Sequence, residues 1–415
     1  MDALVLRDCR LPGRDAVADV VIADGRLASI GRGAAGARTL DVGGRLVTPG
    51  LVEAHIHLDK ALLHDRITAE ADTVADAIRL TGEAKRAFTR EDIAGRARRV
   101  LDAAIAAGTT AMRSHVEVDP IVGLMGMEAI LPLREEYAPA IDLQICAFAQ
   151  EGILQAPGTE GLLRRALQMG ADVIGGCPYN DTDAVEHIRI VFALARAFDV
   201  DVDFHLDFND EPRNRHIRAV IDETLKLGWQ GRVAVGHMSE LAALMPVERD
   251  DVLAAMAAAG IGLIALPATD LYLMGRQMEV NPPRGLAPIK AALAAGVAVA
   301  LATNNVRNPF TTVGTADLSH MAFLGAVAGH MGTPALMRQL FDTLTIHPAR
   351  ILRLPDYGLA AGGRADLVVW NCERVEDIVA ALPDRAFVLK NGRVTVEQER
   401  TVRVRWRERL QRCPG

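Results

Sequence analysis

Two histidines separated by one residue, His55 and His57, end the apolar run Leu46-Val47-Thr48-Pro49-Gly50-Leu51-Val52. In an extended strand alternate side chains share a face, so both imidazoles point the same way, roughly 7 Å apart along the chain. Two neutral imidazoles on one face are half of a divalent-metal site, and such a site hydrolyses bonds when one position is left for water. Taken alone, the pair is more often a polar strand end than a metal site. What decides is whether other strands deliver partners to the same place.

The runs that read as buried strands are 46–55, 109–118, 142–150, 172–177, 200–207, 232–237, 261–267 and 297–305. Between them lie Ala-, Leu- and Arg-rich segments with helical spacing, such as 91–107, 184–197 and 212–227. This rhythm predicts parallel β/α units closing into a (β/α)8 TIM-type barrel over residues 46–357. Residues 1–45 and 358–415 carry shorter runs broken by turn pairs such as Asp24-Gly25 and Asn391-Gly392. The two chain ends are expected to build one small β-sandwich beside the barrel.

In such a barrel the active site forms at the C-terminal ends of the strands. His55, His57, His115, His205 and His237, five of the chain's eleven histidines, fall at such ends. A separate dull explanation for each does not account for their gathering. A divalent ion held by His55, His57 and His205, with an open position for water, is the expected centre; it would bring the pKa of that water toward neutrality. His237 is expected either as a further ligand or as the group that orients substrate and stabilises an oxyanion. Gln150, at the end of the third strand, carries a donor and an acceptor on one amide and suits the edge of a heterocycle.

The whole chain resembles the amidohydrolase superfamily, in particular its cytosine deaminase-like branch, and is also similar to the triazine-pathway N-isopropylammelide isopropylaminohydrolases. The stretches that carry the resemblance are Pro49-Gly50-Leu51-Val52-Glu53-Ala54-His55-Ile56-His57-Leu58-Asp59, the segment 142–154 around Gln150, Asp203-Phe204-His205-Leu206-Asp207, Gly236-His237 and Tyr357-Gly358-Leu359-Ala360-Ala361-Gly362. The resemblance implies the same barrel and sandwich, a zinc or iron ion on His55, His57 and His205, contact of Gln150 with a base, and assistance of His237 to the attacking water. It also implies a homo-oligomer.

Two departures qualify it. The glutamate that such deaminases carry three residues after the strand-five histidine is Phe208 here, and the strand-eight aspartate, both ligand and base, is Asn304. Asn304 still offers a neutral oxygen to a metal but cannot accept a proton from water. Phe208 makes the pocket drier where the polar edge of cytosine would sit, so cytosine itself is disfavoured. Asp207 shares the face of His205 and is a candidate acid–base, with a helix N-cap or a brace for a histidine as its equal alternative. Asn305 and Phe310, after the eighth strand, are expected to line the substrate pocket.

Two functions follow. The first is metal-dependent hydrolysis of a C–N bond in a small cyclic amine or amide. The second is a metal-poor, non-catalytic binder of a small molecule, motivated by the loss of both carboxylates. The formal net charge of −7 speaks against nucleic acid or an anionic membrane as partner. Five scattered cysteines, Cys9, Cys146, Cys177, Cys372 and Cys413, form no CxxC pair, and no signal-like or membrane-spanning run is visible, so the expected setting is cytoplasmic.

Overall fold

The structure, a computed structural model, describes residues 3–31, 37–67, 69–212 and 215–405. Cys413 and the rest of 406–415, assigned above to the sandwich, lie outside the described residues, as do two residues near the start of the expected 212–227 helix, which runs over Ile217–Leu227.

The chain opens with β1 (Leu4–Cys9), β2 (Ala18–Ala23), β3 (Arg26–Gly31) and β4 (Arg38–Asp41), a four-stranded sheet in the order β3-β2-β1-β4. After β5 (Leu46–Pro49) come the eight barrel strands. These are β6 (Leu51–Ile56), β7 (Thr109–Glu117), β8 (Asp142–Ala149), β9 (Val173–Gly176), β10 (Asp201–Leu206), β11 (Val233–His237), β12 (Gly262–Ala265) and β13 (Val299–Leu301). Each pairs in parallel with the next in chain order, and the first and last meet through a parallel bridge between Ile56 and Asn304. Every position of β6 and β7 is buried, including the polar Glu53, His55, Arg113, His115 and Glu117, so these strands lack the inside–outside alternation of a half-exposed sheet.

The chain then forms β14 (Leu367–Trp370), β15 (Arg385–Lys390) and β16 (Arg393–Glu397), which make a second four-stranded sheet with β5, in the order β16-β15-β14-β5. Leu6, Val20, Leu27 and Val47 meet Leu367, Val369 and Leu389 in a core between the two small sheets. Both chain ends therefore contribute to it, as expected. Residues 46–49 differ from expectation, since they pair with β14 and leave the barrel to begin at Leu51. The break is at Gly50, where a Cβ would lie 2.1 Å from Thr110 Oγ1. Only glycine lets the chain pass that close, so one apolar run serves two sheets.

Below the histidines the barrel interior is polar, and its charges are paired. Arg113 donates to Asp203 at 2.8 Å and to Gln144, whose amide donates in turn to the carbonyl of Leu352. Burial raises the Asp203 carboxyl, but His115 and Arg113 outweigh it and hold it below its ordinary range. Glu53 accepts the backbone N–H of His55 and both the N–H and hydroxyl of Thr303, tying β6 to the end of β13. Among the described residues no helix is long and apolar enough to cross a membrane.

Removing one member of the Arg113–Asp203 pair leaves a buried charge uncompensated. Asp203→Asn is expected to cost about 3–5 kcal/mol, read as a lower denaturant midpoint. An unchanged midpoint would show that the pair is not a structural element of the barrel.

Candidate active site

Strand ends position every candidate side chain. His55 lies in β6 and His57 one residue beyond it, while His205 comes from β10 and His237 closes β11. The Nε2 of His205 is 3.0 Å from that of His55 and 3.0 Å from that of His57. Gly236 makes room for this: a Cβ there would press on the His55 ring at 3.1 Å. Phe148 stacks on the other side of His205, with ring centroids 4.1 Å apart.

Three Nε2 atoms crowded in this way are not explained by hydrogen bonding. A neutral imidazole nitrogen is either one donor or one acceptor, and His205 Nε2 faces two partners. The Nδ1 atoms of all three rings, and Asn304 Oδ1, are buried without a hydrogen-bond partner. Burial, reinforced by neighbouring charges and rings, pushes His55, His57 and His205 well below the ordinary histidine range. They are neutral, with lone pairs available to a cation. His55, His57 and His205 thus form a group that could hold a divalent metal ion, and the donor set fits one.

Asn304 sits between the two histidines of β6 by its backbone: it accepts the N–H of His57 and donates its own N–H to the carbonyl of His55, both at 2.9 Å. Its amide oxygen is buried without a hydrogen-bond partner. A second grouping, His55, His115 and Asp203, lies deeper. There the Asp203 charge is already balanced by Arg113, and the His115 ring backs that of His55 at 3.8 Å. We read it as a support for His55.

His237 Nδ1 donates to Asp270 Oδ1 at 2.7 Å, and Asp270 also accepts the backbone N–H of Leu266. Burial raises the Asp270 carboxyl against the pull of His237. With Nδ1–H committed, the Nε2 of His237 is the atom left to accept a proton. Phe208 stacks flat on the same imidazole, centroids 3.9 Å apart at 24°. It belongs to an apolar cap with Ile78 and Leu80 of helix α1 (Val74–Lys85), Leu273, Met274 and Phe310.

Sequence reasoning did not find Asp270. It lies on a helix, Pro267–Leu273, that starts immediately after β12, inside and just beyond a run read as strand. The signal available was Pro267 at a helix start with an acid in the first turn. Asp207 has other partners: its two oxygens accept the backbone N–H groups of His216 and Ile217, at 3.0 and 3.1 Å, at the start of the helix Ile217–Leu227, and Oδ1 also lies 3.1 Å from His216 Nδ1. These contacts are of the kind expected for its helix-capping and histidine-bracing alternatives, the helix N–H groups being strong claims on a carboxylate.

The remaining residues fall as follows. Gln150 lies just past β8, its amide nitrogen 3.5 Å from Cys177 Sγ and its amide oxygen 3.3 Å from Lys60 Nζ. Phe310 lies 4.2 Å from Lys60 Nζ with its ring facing the ammonium. Asn305 is engaged in the wall, accepting from Asn308 at 2.7 Å and donating to Thr269 at 3.4 Å.

The fold and the site define a (β/α)8 barrel with a three-histidine group at the strand ends that could hold a metal ion. The chain belongs to the Amidohydrolase family, which it matches over residues 38–402. It is 28% identical over 413 residues to N-isopropylammelide isopropyl amidohydrolase of Pseudomonas sp. (strain ADP), covering 95% of this chain and 98% of that one. It is 28% identical to pterin deaminase of Rhizobium rhizogenes (strain K84), covering 91% and 87% of the two chains. Among solved structures, 5-methylcytosine deaminase from Klebsiella pneumoniae, liganded with 5-fluorocytosine, superposes with a TM-score of 0.92 at 28% identity, over 98% of this chain and 100% of that one. The protein is a hydrolase of carbon–nitrogen bonds.

Elemental analysis tests the centre. Protein produced with zinc or iron supplied is expected to carry close to one equivalent, and His55→Ala, His57→Ala and His205→Ala to lose most of it while remaining folded. Undiminished metal in all three variants would place the ion elsewhere.

Proposed function

We propose that the chain hydrolyses a C–N bond of a small, flat, nitrogen-containing ring compound or cyclic amide, with cytosine itself disfavoured. The observation that carries this reading is the His237–Asp270 pair, 2.7 Å apart and flanked by Phe208, beside the three-histidine group. A zinc or iron ion on His55, His57 and His205 would supply an activated water and polarise the carbon under attack.

The residues of the chain do the rest. Asp270 holds His237 in the tautomer whose Nε2 is free, so His237 takes the proton that the attacking water gives up and returns it to the departing nitrogen. This answers the argument for a non-catalytic binder, since the proton acceptor missing at Asn304 and Phe208 is present as His237 backed by a carboxylate. Asn304, unable to accept a proton, contributes an oxygen lone pair and the backbone that seats His55 and His57.

Phe208 keeps water from one face of His237 and gives that side of the pocket an apolar wall with Ile78 and Met274. An amino nitrogen bearing an alkyl substituent fits that wall better than a bare ammonia leaving group. Relatives named for an N-alkylated triazine and for a pterin are in keeping with an amino-substituted ring. Gln150 supplies the hydrogen bond that orients it.

The test is turnover. Metal-restored protein is to be screened against N-alkylamino-triazines, pterins, aminopyrimidines and cyclic ureas. At least one is expected to be hydrolysed, with activity removed by a chelator and by His55→Ala. Asp270→Asn is expected to lower kcat by roughly 10²–10⁴-fold, the usual worth of positioned acid–base catalysis, with metal content unchanged. Full kcat in Asp270→Asn would remove His237 from the role of base, and full activity in His55→Ala would end the metal-hydrolase reading.

A further inference from the structure

An amide presents an acceptor at one end and donors at the other, and the two ends have nearly the same shape. For Gln150 the choice is made by Lys60. The ammonium of Lys60 can only donate, and it lies 3.3 Å from Gln150 Oε1, so the Gln150 N–H groups face the other way, toward Cys177. Gln150 therefore reads an acceptor: a carbonyl oxygen or an unprotonated ring nitrogen.

Lys60 does not stand freely either. It donates to Glu117 Oε1 at 2.6 Å and rests on the Phe310 ring, so its ammonium is fully engaged before any substrate arrives. Glu117 is shared. Its second oxygen is paired with Lys85, which also donates to Asp119 at 2.8 Å and to Glu151 at 2.9 Å. Lys85 is the last residue of α1, the helix whose Ile78 and Leu80 cap the pocket.

The charges explain what Lys85 adds. Without it, Glu117 would share a buried nest with Asp119, Glu151 and Asp59, and a single nearby ammonium would face four carboxylates. Like charges packed this closely and out of water do not all stay ionised. A protonated Glu117 no longer anchors Lys60, and an unanchored Lys60 no longer selects the orientation of Gln150. With Lys85 in place, burial still raises the Glu117 carboxyl, but Lys60 and Lys85 together hold it at about 2.

We infer that Lys85 is a positioning residue: through Glu117 and Lys60 it sets the donor face of Gln150, so that seating of α1 over the pocket and recognition of a substrate acceptor are one event. The identity of the ligand rests on the C–N hydrolase reading above; the chain of contacts does not. A device of this kind makes the pocket selective for rings that carry an oxo group or bare nitrogen where Gln150 points.

The experiment compares wild type with Lys85→Met, Lys85→Arg and Gln150→Ala. Crystal structures give the Lys60–Gln150 distance, and calorimetry with N-isopropylammelide and its analogue lacking both oxo groups gives the preference for an oxo ring. Lys85→Met is expected to separate Lys60 Nζ from Gln150 Oε1 by more than 4 Å and to reduce the oxo preference at least tenfold, as Gln150→Ala does. Lys85→Arg is expected to keep it within threefold of wild type. Glu117→Gln, similar in size but uncharged, is expected to repeat the Lys85→Met result and replaces it should that variant not fold. A Lys60–Gln150 contact retained in Lys85→Met, or affinity lowered equally for both compounds, would show that Lys85 only fastens the helix and would overturn the inference. Absence of turnover in the wild type would instead count against the hydrolase reading, with the crystallographic distance still deciding this one.

Discussion

The barrel is closed by one peptide. Asn304 accepts the N–H of His57 and gives its own N–H to the carbonyl of His55, which joins the first strand to the end of the eighth. That contact fixes the backbone on both sides of Ile56 and so fixes the direction in which both imidazoles leave the strand. Glu53 grips Thr303 one layer below, so the closure is held at two levels. Asn304 makes the turn at φ +56, a left-handed conformation that asparagine tolerates better than most residues. Substituting an amide for a carboxylate here keeps the closure and removes a base.

Buried charge is arranged in layers around this seam. Arg113 and Asp203 neutralise each other beneath the histidines, and His115 sits between them and His55. Above, Lys60 and Lys85 are enclosed by Glu117, Asp119 and Glu151. Desolvating such groups costs several kcal/mol per ion, and pairing them recovers little beyond that, so their value lies in geometry rather than stability. Between the two layers the histidines are neutral because they are buried. Neutral imidazoles are what a metal requires, and the rings are held by packing on His115 and Phe148.

The proposed proton-handling group then lies on the far side. His237 reaches its position at φ +69, at the end of β11, and is backed by Asp270 from the next β/α connection. In the proposed mechanism Asp270, acting through His237, takes the place of the carboxylates that Asn304 and Phe208 do not supply. Phe208, flat against that histidine, keeps the arrangement dry, and a dry histidine–carboxylate pair is stronger than a wet one because water does not screen it.

The β/α rhythm was legible along the chain because strands buried on both faces read as unbroken apolar runs. The histidine set was legible because such strands deliver their last residues to one end of a barrel. Residues that depend on a local backbone choice were not legible. The run 46–55 looks like one strand, and only the clash a side chain at Gly50 would make with Thr110 divides it between two sheets. Asp207 lies on the right face by period, yet two helix N–H groups ten residues later claim it. Asp270 was hidden because the helix that carries it begins where a strand was expected to end.

The sequence by itself determined the barrel, the small two-sheet domain, and the presence of a metal-type histidine group, since all three follow from periodicity and from side-chain type at strand ends. Only the tertiary structure decided which carboxylate serves His237, which way Gln150 faces, and how Lys60 and Lys85 share Glu117. Those outcomes turn on distances of about 3 Å between residues tens to hundreds of positions apart, over which a hydrogen bond is made or lost. Spacing along the chain carries no record of them.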